Sequence, residues 1–211
     1  LIVFLMISLT PGDPVEIMLG DQHVTPEMEQ AIRKDMGLDL PIHERFIRFL
    51  YNASHGNFGR SFFHRRPVLD VILERLPATI ELTLCAMLMA IFVSIPLGVL
   101  AAVKKGTVYD RSSVVTAMLG VSMPGFWFGI ILIILFAVNL QWLPVSGRSI
   151  YSLRVPSVTG MLLIDTLLAG RLDSFIDAVK HLILPTVTLG LAMGATLMQV
   201  TRASMMEVLK Q

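Results

Sequence analysis

The side chains that could carry out chemistry are few in this sequence, and none of them forms a catalytic or metal-binding pattern. Zinc sites and metalloproteases need His, Cys or carboxylate ligands at fixed short spacings. The histidines have no HExxH motif and no cysteine partner; they are His23, His43, His55, His64 and His181. We therefore expect no catalytic residue and no metal site, and interpret the histidines as solvated loop residues rather than ligands.

The sequence also contains no motif for binding a nucleotide or a nucleic acid. No Walker-type glycine loop is present, so the sequence offers no such site for ATP. The 17 Lys and Arg residues nearly balance the 16 Asp and Glu residues, whereas nucleic-acid binding needs a clustered basic surface. The single Cys85 excludes an intrachain disulfide. We expect no cofactor in this chain.

Polar side chains within or beside apolar stretches are the remaining candidates for function. Ser94, Ser122, Thr188 and Gln199 could line a polar pathway, although Ser and Thr hydroxyls also bond back to their own helix. Glu81 stands at the start of one apolar stretch. It could contact a substrate, or remain hydrated near a helix N-terminus, where an acid is favourable.

Three stretches without any charged residue show which elements carry these side chains. They are 82–103, 112–147 and 182–201, in a chain that is 54% hydrophobic and 16% charged. Each reaches the roughly 20 apolar residues that a helix needs to cross about 30 Å of hydrocarbon. A soluble helix would have a polar face, and these stretches show none. The sequence predicts an integral membrane protein of all-α class.

Basic residues in the short loop 104–111 predict the orientation. Short loops rich in Lys and Arg stay in the cytoplasm, which places 10–76 and 139–181 outside. Within the first external segment, Ile42, Phe46, Ile47 and Leu50 recur at helical spacing. This pattern indicates an amphipathic helix that lies on the membrane surface, packs on the bundle, or belongs to a water-soluble helical hairpin.

The predicted organisation is one transmembrane domain over 1–211 with alternating membrane and external parts. Its parts are the end of a first membrane helix (1–9), an external segment (10–76), a membrane helix (78–103), the cytoplasmic loop (104–111), a membrane helix (113–138), an external segment (139–181), a membrane helix (182–203) and the start of a cytoplasmic coupling region (204–211).

Small residues and prolines within the spans predict how the helices pack. Pairs of small residues four apart let helix backbones approach closely in lipid; they are Ser94 and Gly98, Gly125 and Gly129, and Gly190 and Gly194. Prolines kink a helix or mark its end; those in the spans are Pro96, Pro124 and Pro185.

Eight short strings along the chain carry a family resemblance. They are PGDP (11–14), MGLDLP (36–41), GNFGRS (56–61), RLPATIEL (75–82), IPLGVLAA (95–102), WLPVSG (142–147), HLILP (181–185) and TRASMMEVL (201–209). In this order and spacing they resemble the permease subunits of bacterial ABC importers for dipeptides, oligopeptides, nickel and glutathione. The external strings GMLLIDT (160–166) and FIDAV (175–179) resemble the dipeptide permease B branch of that family.

The resemblance implies a polytopic helical bundle of the type I ABC importer kind in the bacterial inner membrane. In that family a periplasmic binding protein delivers substrate, two homologous permease subunits form the pathway, and two ATPase subunits hold ATP and Mg²⁺. The resemblance implies that Arg202, Ser204 and Glu207 approach the coupling region. Arg60 and Asp165, in the external segments, are candidates for contact with the binding protein.

The two ends are interpreted in the same way. The apolar start lacks a basic flank, and the helical pattern continues to Gln211 without a cap. We expect a fragment without the start of the first helix, the coupling loop and the last helices. The predicted function is the permease subunit of a dipeptide or short-peptide importer. The alternatives are nickel, oligopeptide or glutathione as substrate, or a membrane channel or scaffold that needs no ATPase.

Overall fold

The computed structural model describes residues 4–6, 27, 30, 33–34, 37–61, 64, 66–149 and 155–209. It divides into two compact units, Leu1–Arg75 and Leu76–Gln211. The described residues form helices, joined by loops that include one isolated antiparallel bridge between Arg60 and Pro67. The prediction of an all-α protein is confirmed. His23 and most of the predicted first membrane helix lie outside the described residues.

In the first unit, helix α1 (Ile42–Ser54) carries the predicted amphipathic pattern. The ring of Phe46 packs against that of Phe4, with 5.2 Å between the ring centroids. Ile47 and Leu50 on the same helix remain 64% and 49% exposed. Only part of the predicted apolar face is therefore covered within this unit.

Five further helices lie in the described part of the chain after α1. They are α2 (Val68–Val103), α3 (Val108–Ser122), α4 (Gly125–Leu132), α5 (Leu162–Leu168) and α6 (Leu172–Val208), and α4 continues as a π-helix (Ile133–Asn139). Among the described residues, α2 and α6 are long and apolar enough to cross a membrane. At 1.5 Å per residue each is about 55 Å long, longer than the roughly 30 Å of a bilayer core.

The helix bounds differ from the predicted ones at the prolines. The predicted 78–103 helix begins ten residues earlier, at Val68, and α2 includes Pro77 and Pro96. The predicted 182–203 helix begins ten residues earlier, at Leu172. The predicted 113–138 helix is interrupted between Ser122 and Gly125, where Pro124 caps α4. Proline removes one backbone donor, and packing elsewhere decides whether the helix continues.

Helices α2 and α6 approach closely through small residues. A Cβ atom on Gly98 would lie 2.9 Å from the carbonyl oxygen of Met198, and one on Gly190 would lie 3.1 Å from that of Ala86. Residue numbers rise together along this contact, so the two helices run in the same direction. The predicted small-residue packing is present here, as expected for close backbone approach.

Helix α3 runs opposite to α6. A Cβ atom on Gly120 would lie 3.0 Å from that of Ala195, while Asp110 at the other end of α3 bonds to Arg202. The directions of α2, α3 and α6 are those that the predicted topology requires. Which side of the membrane each end occupies stays a prediction.

Candidate functional site

A cavity of about 550 Å³ lies between α4, α6 and the segment 144–147. Its walls are mainly apolar, and its polar side chains are few. The apolar lining includes Phe126, Ile130, Ile133, Leu184, Leu189 and Ala192, and the polar side chains are Ser146, His181 and Thr188. Apolar walls with a few placed polar groups are typical of sites for small organic ligands.

Glycines on α4 explain why space remains here. A Cβ atom on Gly129 would lie 3.3 Å from Cγ2 of Thr188, so α4 and α6 are close at that level. One turn earlier, a Cβ atom on Gly125 would have no neighbour within 4 Å. The two helices therefore diverge from Gly129 toward Gly125, and the cavity occupies the gap.

The hydrogen bond of His181 determines which of its ring nitrogens carries a proton at the cavity wall. Its Nδ1 lies 2.8 Å from the backbone carbonyl oxygen of Asp177, and its side chain is 4% exposed. A carbonyl oxygen only accepts, so Nδ1 carries a proton, and Oδ1 of Asp177 lies 3.7 Å from the same nitrogen. When the ring is neutral, Nε2 is its acceptor. The interpretation of His181 as a solvated loop residue is wrong, because the continuous α6 buries it. The described histidines His43, His55 and His64 are exposed.

Thr188 adds a second acceptor to the same wall. Its hydroxyl donates to the carbonyl oxygen of Leu184 over 2.8 Å, which leaves its lone pairs available. Thr188 therefore bonds back to its own helix and also lines the cavity, two roles that the sequence interpretation treated as alternatives.

The other predicted pathway residues lie elsewhere. Ser94 is buried, and a Cβ atom on Gly194 would overlap its Oγ, so it belongs to the contact between α2 and α6. Ser122 and Gln199 are exposed outside the cavity. The structure brings Thr188 to the cavity and does not bring Ser94, Ser122 or Gln199 there.

A buried carboxylate on α2 connects the segment 155–168 to the rest of the second unit. Glu81 is 5% exposed, and its Oε1 accepts from the backbone N–H of Leu163 over 2.6 Å. Its Oε2 accepts from Arg148, which also donates to the carbonyl oxygen of Gly160, each over 3.0 Å. The interpretation of Glu81 as a hydrated interfacial acid is wrong, because the external segment covers it.

Asp165 holds the turn before α5. Its carboxylate accepts from the backbone N–H and hydroxyl of Thr159, both over 2.8 Å, and from the N–H of Gly160 over 3.0 Å. Burial opposes the charged form of Asp165, but these hydrogen bonds outweigh burial and lower its pKa below the ordinary value. The side chain of Asp165 is 3% exposed, so a binding protein could contact the residues around it but not its carboxylate. Arg60 is exposed.

At the opposite end of the second unit, Arg202 pairs with Asp110 over 2.6 Å between Nε and Oδ1. Ser204 and Glu207, further along α6, are exposed. Sequence reasoning singled out Arg202 but not its partner, and it missed Arg148. Arg148 is the first charge after the stretch 112–147, and that position was the signal that could have identified it.

Two protein-family models match the chain. Residues 1–83 match the N-terminal part described as "Binding-prot-dependent transport system membrane comp, N-term". Residues 94–211 match the family described as "Binding-protein-dependent transport system inner membrane component". The second match covers α3, α4, α5 and α6 and therefore the whole cavity.

Individual relatives match over nearly the whole chain. It is 43% identical over 211 residues to the di/tripeptide transport system permease protein DppB of Pseudomonas aeruginosa. It is 42% identical over 212 residues to the dipeptide transport system permease protein DppB of Escherichia coli K12. These alignments cover 100% and 99% of this chain, and 63% and 62% of the two relatives. The chain thus spans a little under two thirds of their length.

Proposed function

The chain belongs to the family of binding-protein-dependent transport system inner membrane components, the family its sequence resembles, and we propose that it acts in the permease subunit of an ATP-driven importer of dipeptides or other short peptides. The observation that carries this proposal is the 43% and 42% identity to permeases named for di- and tripeptide transport. Membership in a permease family places the chain among transporters rather than enzymes.

The cavity supports the same function. Its volume of about 550 Å³ lies in the range of about 300–1,000 Å³ typical of small-molecule sites. The hydroxyl oxygen of Thr188, and Nε2 of His181 when its ring is neutral, can accept hydrogen bonds from a substrate's N–H groups. The apolar wall can contact many different side chains of a peptide, because apolar contacts are not directional. In this proposal the cavity is part of the translocation pathway, and no covalent chemistry occurs on the chain.

The proposed complex contains a second homologous permease subunit, two ATPase subunits and a periplasmic binding protein. ATP and Mg²⁺ bind to the ATPases, and the chain itself holds no cofactor. The ATPases drive the cycle by binding inward- and outward-facing states with different affinity, because a ligand shifts an equilibrium only by that difference. The proposed location is the bacterial inner membrane.

The external segments are the proposed contact for the binding protein. Charge reversal at the exposed Arg60 tests this contact, with Arg60→Glu expected to weaken docking and leave basal ATPase activity unchanged. Asp165 serves the test less well because its carboxylate holds the turn at Thr159 and Gly160. Unchanged substrate-stimulated turnover in Arg60→Glu would remove this residue from the contact.

The decisive experiment is co-purification of the protein containing this chain with candidate ATPases, a second permease and binding proteins. ATPase activity and uptake are then measured in proteoliposomes with dipeptides, tripeptides, longer peptides, nickel and glutathione. Stimulation by di- or tripeptides supports the proposal. Stimulation by another substrate alone would reassign the specificity, and failure to assemble with any ATPase would favour a channel or scaffold.

A further inference from the structure

The carboxylate of Asp110, in the first turn of α3, connects α3 to α6 and to the turn that precedes α3. Its Oδ2 accepts from the backbone N–H of Gly106 over 2.9 Å, and its Oδ1 accepts from Arg202 Nε over 2.6 Å. Gly106 has a φ of +79°, a conformation that suits glycine. Asp110 therefore connects the turn after α2, the first turn of α3 and the inner end of α6.

This pair is largely shielded from solvent. Asp110 is 6% exposed, and the side chain of Arg202 is 25% exposed. The hydrogen bond from Arg202 and then that from Gly106 lower the pKa of Asp110, with a smaller contribution from the charge of Lys105. The carboxylate is therefore charged at neutral pH and paired.

Next to this pair, the backbones of α2 and α6 are in close contact. At Gly98 a Cβ atom would lie 2.9 Å from both the carbonyl oxygen of Met198 and Cβ of Thr201. Ala101 and Ala102 of α2 are buried beside this contact. Because close-packed elements shift between discrete arrangements rather than deform continuously, α6 cannot tilt here without breaking the contact.

Beyond Arg202, α6 continues for more than one turn with a more open surface. Ala203, Ser204, Glu207 and Val208 are exposed, while Met205 and Met206 are half-buried. The pair therefore lies just before this more open part of α6.

We propose that Asp110 and Arg202 are a positioning pair that holds the inner end of α6 in the direction needed for ATP hydrolysis to drive transport. This inference rests on the proposed function, since it requires ATPases on that side. Neither side chain contacts substrate or nucleotide in this proposal. Their role is to transmit movement: when the turn 104–107 and α3 move, the hydrogen bond between Asp110 and Arg202 moves α6 with them. A movement that starts in α6 reaches α3 through the same bond.

Substitutions can remove the bond between Asp110 and Arg202 while keeping the bond between Asp110 and Gly106 that holds the turn. In Asp110→Asn the amide oxygen still accepts from Gly106, while the amide nitrogen faces Arg202 and the attraction is lost. Arg202→Gln removes the same attraction from the other side. Arg202→Lys keeps the charge, although Lys presents a point charge rather than a planar fork. Arg111→Gln, at an exposed position in the same turn, is the matched control.

The test measures peptide imported per ATP hydrolysed by the complex in proteoliposomes. Asp110→Asn and Arg202→Gln should each lower this ratio by about fivefold or more, the lower end of typical coupling between sites. The double variant should lose no more than either single variant, because both remove one interaction. Arg202→Lys should retain most of the ratio, and Arg111→Gln all of it. An unchanged ratio, or an equal loss in Arg111→Gln, would overturn the proposal.

A distance measurement keeps the positioning claim separate from the proposed function. Spin labels at Ser112→Cys and Ser204→Cys, both exposed, in a Cys85→Ala background, report the direction of the last turn of α6 in nanodiscs. We expect one narrow distance distribution, broadened by Asp110→Asn and unaffected by Arg111→Gln. If no partner set supports uptake, the proposed function fails while this result still decides the positioning role. An unbroadened distribution in Asp110→Asn would refute that role.

Discussion

Arg148 Nη2 and Glu81 Oε2 lie 3.0 Å apart although 67 positions separate the two residues in the chain. The same glutamate accepts the backbone N–H of Leu163. A carboxylate from α2 therefore holds both the loop after the π-helix and the first turn of α5. Hydrogen bonds with Glu81 and Arg148 therefore hold Gly160 and Leu163 of the segment 155–168 in place.

Loss of this carboxylate should destabilise the protein. Glu81→Ala leaves the N–H of the half-buried Leu163 without its acceptor, and a polar group left unsatisfied away from water costs about 1–3 kcal/mol. We expect a lower midpoint of thermal unfolding in detergent than for the wild type. Glu44→Gln is the control because the Glu44 side chain is 53% exposed, and it should change the midpoint little. Equal midpoints for the two variants would contradict the bracing role.

Asp165 should make stability depend on pH. Its pKa is lowered in the folded state, so its contribution is complete above the unfolded value of about 3.9 and is lost as the pH falls through the folded pKa. Asp165→Asn puts an amide nitrogen near the N–H donors of Thr159 and Gly160. The unfolding midpoints of wild type and variant should differ at neutral pH and converge below about pH 4. A difference that does not shrink on acidification would exclude this mechanism.

The contact between α2 and α6 should not tolerate a methyl group at Gly98. The added Cβ would meet the carbonyl oxygen of Met198 at 2.9 Å, and backbone cannot rotate away as a side chain can. Overpacking of this kind costs about 1–3 kcal/mol, measured as a lower unfolding midpoint. Gly125→Ala is the matched control, since its Cβ would have no neighbour within 4 Å. A stable Gly98→Ala protein would mean that the helices can separate.

Filling the cavity should reduce uptake without reducing stability to the same degree. Ala192 lines the cavity, and Ala192→Phe places a ring inside it. Met193→Phe adds a ring one residue further along α6, at a position 46% exposed and outside the lining. We expect slower peptide uptake in proteoliposomes for Ala192→Phe alone. Equal uptake by both variants would exclude the cavity from the pathway.

Much of the helical architecture could be predicted because membrane solubility constrains it directly. A stretch without charge such as 182–201 has to be helical in lipid, where each backbone polar group needs an internal partner. Helix ends were harder to predict. The predicted membrane helix starts at 78, after Pro77, yet α2 continues through this proline because it removes one hydrogen bond and the neighbouring turns supply the rest.

The candidate site was predicted in part. Thr188 could be singled out as a hydroxyl within an apolar helix, but its position beside Gly129 depends on how α4 diverges from α6. Ser94 has the same chemistry and lies instead against Gly194, in a contact between helices. Residue type alone cannot separate these two outcomes, because the direction of a helix face depends on its neighbours.

The stretches without charge predict the class of this protein, and eight short strings in order indicate its family, because both are properties of local sequence. The partners of its charged residues follow from tertiary structure instead. Asp110 and Arg202 are 92 positions apart, and Glu81 and Arg148 are 67 apart. No local pattern links residues so far apart. These pairs form where helix packing brings the partners together and shields the carboxylates of Glu81 and Asp110 from water, because an unpaired charge is costly to bury.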